Sequence, residues 1–382
     1  MEPLDQNAVD LLRAITTLRS NLASKSIAEI VMKIESWEEV IAGARRHGIL
    51  PMLYKRLAQL PDSVPTDALQ RMKLEFERNA FHCMTNAEEL LHVLSAFENS
   101  GIPAIPFKGV VLAASAYGDM TMRIAGDIDL LIRFEDLQRA TALLGQRGYE
   151  LKTKTREDGS PEAETYFEYH FERPADGMVL ELRWRLELTQ PRYRSILGLD
   201  WVWSRRRTIQ LAGADVPSLD PVSSLLVLCM HGSKHAWSRW IWVCDVAMLI
   251  ESERGLDWEF ARREAKRVGL ERCLALGVLL ACRAGAELNQ QILRTFESDR
   301  DMSTLAEFFT ANILENPGEM PNGWVPYFLR ILGLRDRLRS LISPSIFQPN
   351  ERDRAALKLP KVLHSLYFVI RPIRVLLDRS SR

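Results

Sequence analysis

The chain has 382 residues, enough for two or three domains, and its 47% hydrophobic and 26% charged content is ordinary for a soluble globular protein. Lys+Arg and Asp+Glu balance at 50 each. That argues against a protein whose main partner is a long nucleic acid, which needs a strong basic excess, though it leaves room for a local basic patch.

The opening MEPLDQNAVD is polar and acidic, unlike a signal peptide, and Arg283 cuts short the most apolar run, CLALGVLLAC, before it reaches the ~18 residues of a membrane span. A soluble cytoplasmic protein is expected. Residues 1–98 read as helical, because NAVDLLRAITTLRSNLA, SWEEVIAGARRHGI and NAEELLHVLSAFENSG repeat apolar positions at helical spacing. Gly101, Pro103 and Pro106 in SGIPAIPFKG then end a helix and admit an extended segment.

Residues 99–195 have another texture. Extended IPAIPF leads to a short helix, GVVLAASAYG, then to a strand, GDIDLLIR, and a helix, FEDLQRATALLGQRGY, capped by Asp136 or the residues just before it. Two strand-like stretches follow, ETYFEYHFER and MVLELRWRL, joined by the turn PADG. Residues 196–382 return to helix, with PVSSLLVLCMHGSKHAW, RWIWVCDVAMLIES and DWEFARREAKRVGLERCLALGVLLACRAG the clearest segments. The pattern predicts an α+β protein: a mixed-sheet core between N- and C-terminal helical regions. The final LPKVLHSLYFVIRPIRVLLDRSSR is basic and amphipathic around Pro372, expected as a docked helix with a frayed end, with a surface-binding tail as the alternative. Cys83, Cys229, Cys244, Cys273 and Cys282 form no CxxC pair and read as buried thiols.

The chemistry gathers in RIAGDIDLLI. Asp127 and Asp129 are two apart in a β-branched apolar run, so they share one face of a buried strand. Two such carboxylates repel and lose water unless a cation offsets them. Magnesium takes one or two carboxylates plus substrate phosphates, and paired metals clamp the oxygens of a phosphoryl displacement. A third acid from a neighbouring strand is then expected. Alternation in MVLELRWRL puts Leu180, Leu182, Trp184 and Leu186 on one face and Val179, Glu181, Arg183 and Arg185 on the other, making Glu181 the candidate ahead of Glu187, Glu172 and Glu168. The plainer alternative is that the aspartates only pair with Arg123, Arg133 or Arg183.

PFKGVVLAASAYGDMTMRIAGDIDLLI, QRGYE and LELRWRL, in that order, resemble the DNA polymerase β-like nucleotidyltransferase superfamily. They are most similar to its bacterial branch known only as nucleotidyltransferase family proteins, and HGSKHAWSRWIWVCDVAML resembles that branch's helical segment. The resemblance implies a polymerase β-like core, Asp127 and Asp129 holding two Mg²⁺ (or Mn²⁺) ions, and Glu181 holding the catalytic ion and taking the proton of the attacking hydroxyl. It implies an NTP as co-substrate, with Lys108, Gly109, Arg123 and Lys234 as nucleotide-binding candidates; Arg123 alternatively orients the carboxylates. Two features depart from the better-known pattern. Lys108-Gly109 precedes Asp127 by a longer stretch and no Gly-Ser is present, and Arg183 stands where a histidine is usual.

His231 and His235 lie one helical turn apart, without the glutamate of HExxH. A structural pair capped by Asp245, a cleft-lining role and a zinc site are the alternatives, and the cluster of Trp237, Trp240 and Trp242 reads as helix core before stacking platform. The leading function is transfer of a nucleoside monophosphate from an NTP to a small-molecule or protein acceptor, with release of pyrophosphate. An inactive binding or scaffold module of the same fold is the alternative, and a metal-dependent phosphohydrolase ranks last.

Overall fold

The computed structural model describes residues 4–17, 24–124, 126–153, 167–186 and 199–316, with positions 323, 327, 330–331 and 366–367 beyond them. Most of the expected C-terminal amphipathic stretch, Glu187 and the expected boundary at 195–196 lie outside the described residues. The chain opens with four short helices, α1 (Gln6–Thr16), α2 (Ser24–Val31), α3 (Trp37–His47) and α4 (Leu50–Leu57). Asp5 and Ser36 accept from the first free amides of α1 and α3. Helix α5 runs from Thr66 to Asn99, so the predicted NAEELLHVLSAFENSG is only its second half. The first half exposes Leu74, Phe81 and Met84, and a helix that buries little shows a weak apolar stripe.

The sheet follows: β1 (Ala104–Pro106), the single helical turn α6 (Gly109–Leu112), β2 (Ile128–Ile132), α7 (Leu137–Gln146), β3 (Glu150–Leu151), β4 (Glu168–Arg173) and β5 (Met178–Arg183). Its order is β1-β2-β5-β4-β3. Only β2 and β5 run parallel; the other neighbours are antiparallel, as a mixed sheet requires. Helix α7 begins after a 3₁₀ turn, and Asp136 makes no capping bond, instead receiving Arg139 at 2.8 Å. On β5, Met178, Leu180 and Leu182 are buried while Val179, Glu181 and Arg183 face the other way, as the alternation predicts.

The region expected to be helical throughout holds an exception. After α8 (Leu199–Arg205), β6 (Arg207–Leu211) and β7 (Ala214–Ser218) form a hairpin. Its loop is Ala212 and Gly213, both at positive φ (50° and 83°), the backbone of a tight two-residue hairpin turn. Each strand is too short to register as an alternating run. Helices α9 (Pro221–Lys234), α10 (Trp240–Ser252), α11 (Trp258–Val268), α12 (Glu271–Arg283), α13 (Gln290–Glu297) and α14 (Arg300–Asn312) follow. The long DWEFARREAKRVGLERCLALGVLLACRAG segment breaks into α11 and α12 at Gly269, whose φ of 77° ends α11 in the left-handed region. Among the described residues no disulfide forms, and no helix is long and apolar enough to cross a membrane.

Helices from both ends of the chain share one apolar cluster, which also takes in Ile105, Phe107 and Leu112. Trp240 Nε1 donates to Thr16 Oγ1 (2.8 Å) and Arg13 Nη2 to Thr310 O (2.8 Å), tying α1 to α10 and α14. A second cluster fills the space between the sheet, the second half of α5 and α7. There Glu89, buried on α5, is satisfied by Arg147, Arg173 and Tyr149.

Close packing at the end of α9 sets the direction of the chain into the site. Trp237 is fully buried at a φ of 51°, and a Cβ on Gly232 would lie 2.5 Å from its ring. A methyl group there forces the indole or the helix to move, so Gly232→Ala is expected to cost about 1–3 kcal/mol. Thermal and urea denaturation of the two proteins checks this.

Candidate active site

Parallel pairing of β2 with β5 places Asp129 opposite Glu181. Neighbouring strands lie ~4.8 Å apart and paired residues point to the same face, so the two carboxylates emerge side by side. Asp127 stands two residues earlier, just before β2. Oxygens of Asp127, Asp129 and Glu181 all fall within 4.8 Å of one another, and no other group of three or more potential metal ligands occurs among the described residues. Like charges at that separation repel by roughly 3–4 kcal/mol at an effective dielectric near 20. Burial and the neighbouring Asp129 push the Asp127 carboxyl above its usual range. Burial does the same for Glu181, against the opposing pull of Arg183. Closely set hard oxygens that resist ionising together are a donor set suited to a divalent cation such as Mg²⁺ or Mn²⁺.

Arg183 is the cation of the cluster. Its Nε lies 3.3 Å from Asp129 Oδ1, and its two terminal nitrogens reach Glu181 and Glu168. Glu168 therefore joins the site beside Glu181, whereas Glu172 pairs with Glu150 at the far edge of the sheet. The three carboxylates outweigh burial and hold the Arg183 charge firmly. The departure from the resembled pattern at Arg183 thus puts a permanent charge among the acids.

Lys108 and Gly109 form the junction between β1 and α6. Lys108 adopts φ 60°, ψ −152°, a region reserved almost entirely for glycine, at a cost of about 1–3 kcal/mol. Its Nζ lies 3.9 Å from Asp129 Oδ1 and 3.3 Å from His231 Nδ1. Gly109 has a φ of 46°, a backbone that suits glycine, and a Cβ there would make only ordinary contact with the Asp127 carbonyl at 3.5 Å.

The stretch leading into Asp127 is held from two sides. From α5, Asn79 donates to the carbonyls of Thr121 (2.9 Å) and Arg123 (3.2 Å), and Asn86 donates to that of Gly126 (2.8 Å). From α10, Asp245 takes the Arg123 guanidinium at 3.0–3.2 Å and the Tyr117 hydroxyl at 2.7 Å. Asp245 thus binds Tyr117 and, through Nε and Nη2, Arg123, rather than capping the histidines. Asn79 and Asn86 are site-supporting residues with only a faint mark in the sequence. Their signal was two amides seven residues apart on one face of an amphipathic helix.

His231 and His235, at the end of α9, pack edge to face with centroids 4.7 Å apart, and both lie against Trp242 (5.2 and 5.3 Å). Burial, aided by Lys108 and other nearby cations, pushes His231 well below the usual histidine range. Burial and Lys234 lower His235 to about 4. Burial also lowers Lys234. Trp237 and Trp240 are core residues, while Trp242 faces the same space as the histidines.

All of the predicted site residues border one cleft of about 410 Å³, a size suited to a nucleotide or small ligand. The acids, Lys108, Gly109, Arg123 and Arg183 form one wall, and Lys234, the histidines, Arg239 and Trp242 the other. Gly48, from the end of α3, adds an edge, so sheet and both helical regions enclose the cleft.

The family described as uncharacterised nucleotidyltransferase matches residues 34–284. No curated protein matches the chain. Among solved structures, the solution structure of the antibiotic-resistance factor ANT(2'')-Ia is similar over 48% of this chain and 91% of its own, with 13% sequence identity and a TM-score of 0.35.

A neutral buried histidine makes stability pH-dependent. An unfolded histidine binds a proton below pH ~6.5, whereas folded His235 does so only near 4, so stability is full above 6.5 and falls as pH drops between them. His235→Asn is expected to shrink the loss of stability between pH 7 and 5 relative to the unaltered protein. Urea unfolding in chelator at several pH values measures it.

Proposed function

Because the chain belongs to the family of uncharacterised nucleotidyltransferases, we propose that it transfers a nucleoside monophosphate from an NTP to a hydroxyl of a small molecule or protein side chain, releasing pyrophosphate. One observation carries the reading: Asp127, Asp129 and Glu181 converge within 4.8 Å in a cleft that also holds Lys108 and Lys234. Asp127, Asp129 and Glu181 would hold the divalent metal. When bound there, it supplies positive charge beside the α-phosphate, where negative charge builds as the bond order shifts.

The remaining work falls to the protein's own groups. Lys108 leans on Asp129 and on neutral His231, an acceptor that does not repel it, so its ammonium faces the place where phosphate oxygens would lie. Gly109 lets the backbone approach those oxygens closely. Lys234 offers a second cation from the opposite wall. Glu181, lifted by burial, takes the proton of the attacking hydroxyl as the new O–P bond forms and the bond to pyrophosphate breaks. Arg183 keeps Glu181 and Glu168 from swinging apart. Arg123, held by Asp245 through Nε and Nη2, orients the carboxylate stretch.

Calorimetric titration with each NTP, with and without Mg²⁺, tests the proposal. Metal-dependent binding is expected, weakened at least tenfold in Asp127→Asn/Asp129→Asn. A folded protein that binds no NTP under these conditions would overturn the reading in favour of a scaffold of the same fold.

A further inference from the structure

The pair formed by Arg123 and Asp245 is out of proportion to a stabilising contact. Arg123 is 13% exposed and Asp245 1%, so both charges have left water. Breaking such a pair is costly, yet replacing both members with uncharged groups is often neutral for stability. Its value must therefore be sought in what it holds in place. Arg123 lies four residues before Asp127, and it joins that stretch to α10, an element more than a hundred residues away in sequence. Tyr117, at the end of the wide helical turn after α6, donates to the same carboxylate. Asp245 thus gathers the segment after Lys108-Gly109 and the segment before Asp127 at one point.

The opposite side of the same stretch is fixed through its backbone. Asn79, Cys83 and Asn86 on α5 take the carbonyls of Thr121, Arg123 and Gly126. These bonds fix where the main chain runs, but a residue held only through its carbonyl retains freedom to rotate. The side-chain clamp on Arg123 removes that freedom. Gly126, immediately before Asp127, has nothing within 4 Å of its Cβ position and imposes no restraint of its own.

We infer that Asp245 is a positioning residue, which, by gripping Arg123 and Tyr117, sets the place of Asp127 relative to Asp129 and Glu181 and so makes the metal affinity of the site depend on helix α10. The inference rests on the proposed function, in which those three acids hold the metal. It gives Asp245, on α10, a part in the chemistry without contact with substrate.

The test is Mn²⁺ binding to the full chain, followed by electron paramagnetic resonance and calorimetry without nucleotide, together with thermal unfolding. Asp245→Asn strands the Arg123 charge and is expected to lose both stability and Mn²⁺ affinity. The decisive variant is Arg123→Met/Asp245→Asn, which removes one charge of each sign and leaves the net charge unaltered. Its melting temperature is expected to return most of the way to that of the unaltered protein, while Mn²⁺ binding stays at least tenfold weaker. A double variant that regains Mn²⁺ affinity along with stability would show that the pair only stabilises the fold, and would overturn the inference. Absence of Mn²⁺ binding by the unaltered protein would instead overturn the metal reading, and this inference with it.

Discussion

Repulsion among Asp127, Asp129 and Glu181 is the constraint on which the rest of the structure turns. Three carboxylates within 4.8 Å, one of them 6% exposed, cannot all ionise in a fold without help. The help comes from several directions at once. Arg183 reaches Asp129, Glu181 and Glu168; Lys108 reaches Asp129 and accepts a strained backbone to do so. These cations moderate the repulsion without removing it, since Asp127 and Glu181 remain raised above their usual range. That residual repulsion is the observation on which the proposed metal binding rests.

Holding repelling groups together also demands a rigid frame. The sheet provides the first part, because the parallel pairing of β2 and β5 is what puts Asp129 and Glu181 in register. Asp127 lies outside that ladder and needs separate support. It receives this from helices before and after the sheet: α5 through asparagine amides, α10 through Asp245. The shared apolar cluster of the two helical regions keeps α10 in place relative to α1 and α14. A cleft whose walls come from three parts of the chain is the outcome.

The opposite wall follows a different rule. His231 and His235 are buried among cations, so they stay neutral near pH 7. A neutral His231 can face Lys108 without repelling it. Trp242 packs against both rings. The histidines and Trp242 therefore add shape and hydrogen bonding to this wall, while positive charge comes from Lys234 and Arg239 on it and from Lys108 across the cleft.

Much of this was legible in the amino-acid order. Alternation along MVLELRWRL chose the face of Glu181, the spacing of Asp127 and Asp129 put them together, and the punctuation at Gly101, Pro103 and Pro106 marked the change from helix to sheet, because each of these signals is carried by residues close in sequence. The short hairpin Arg207–Ser218, the break at Gly269 and the first half of α5 were harder, since two five-residue strands, one glycine and a sparsely buried helix leave weak local patterns. The partners of Arg123, the amides that hold the stretch before Asp127 and the enclosure of the cleft by Gly48 and Arg239 were decided by tertiary structure alone. Those contacts join residues 40 to more than 120 positions apart, and a side chain that is ready to form a bond carries no mark in sequence of which distant group will come within reach.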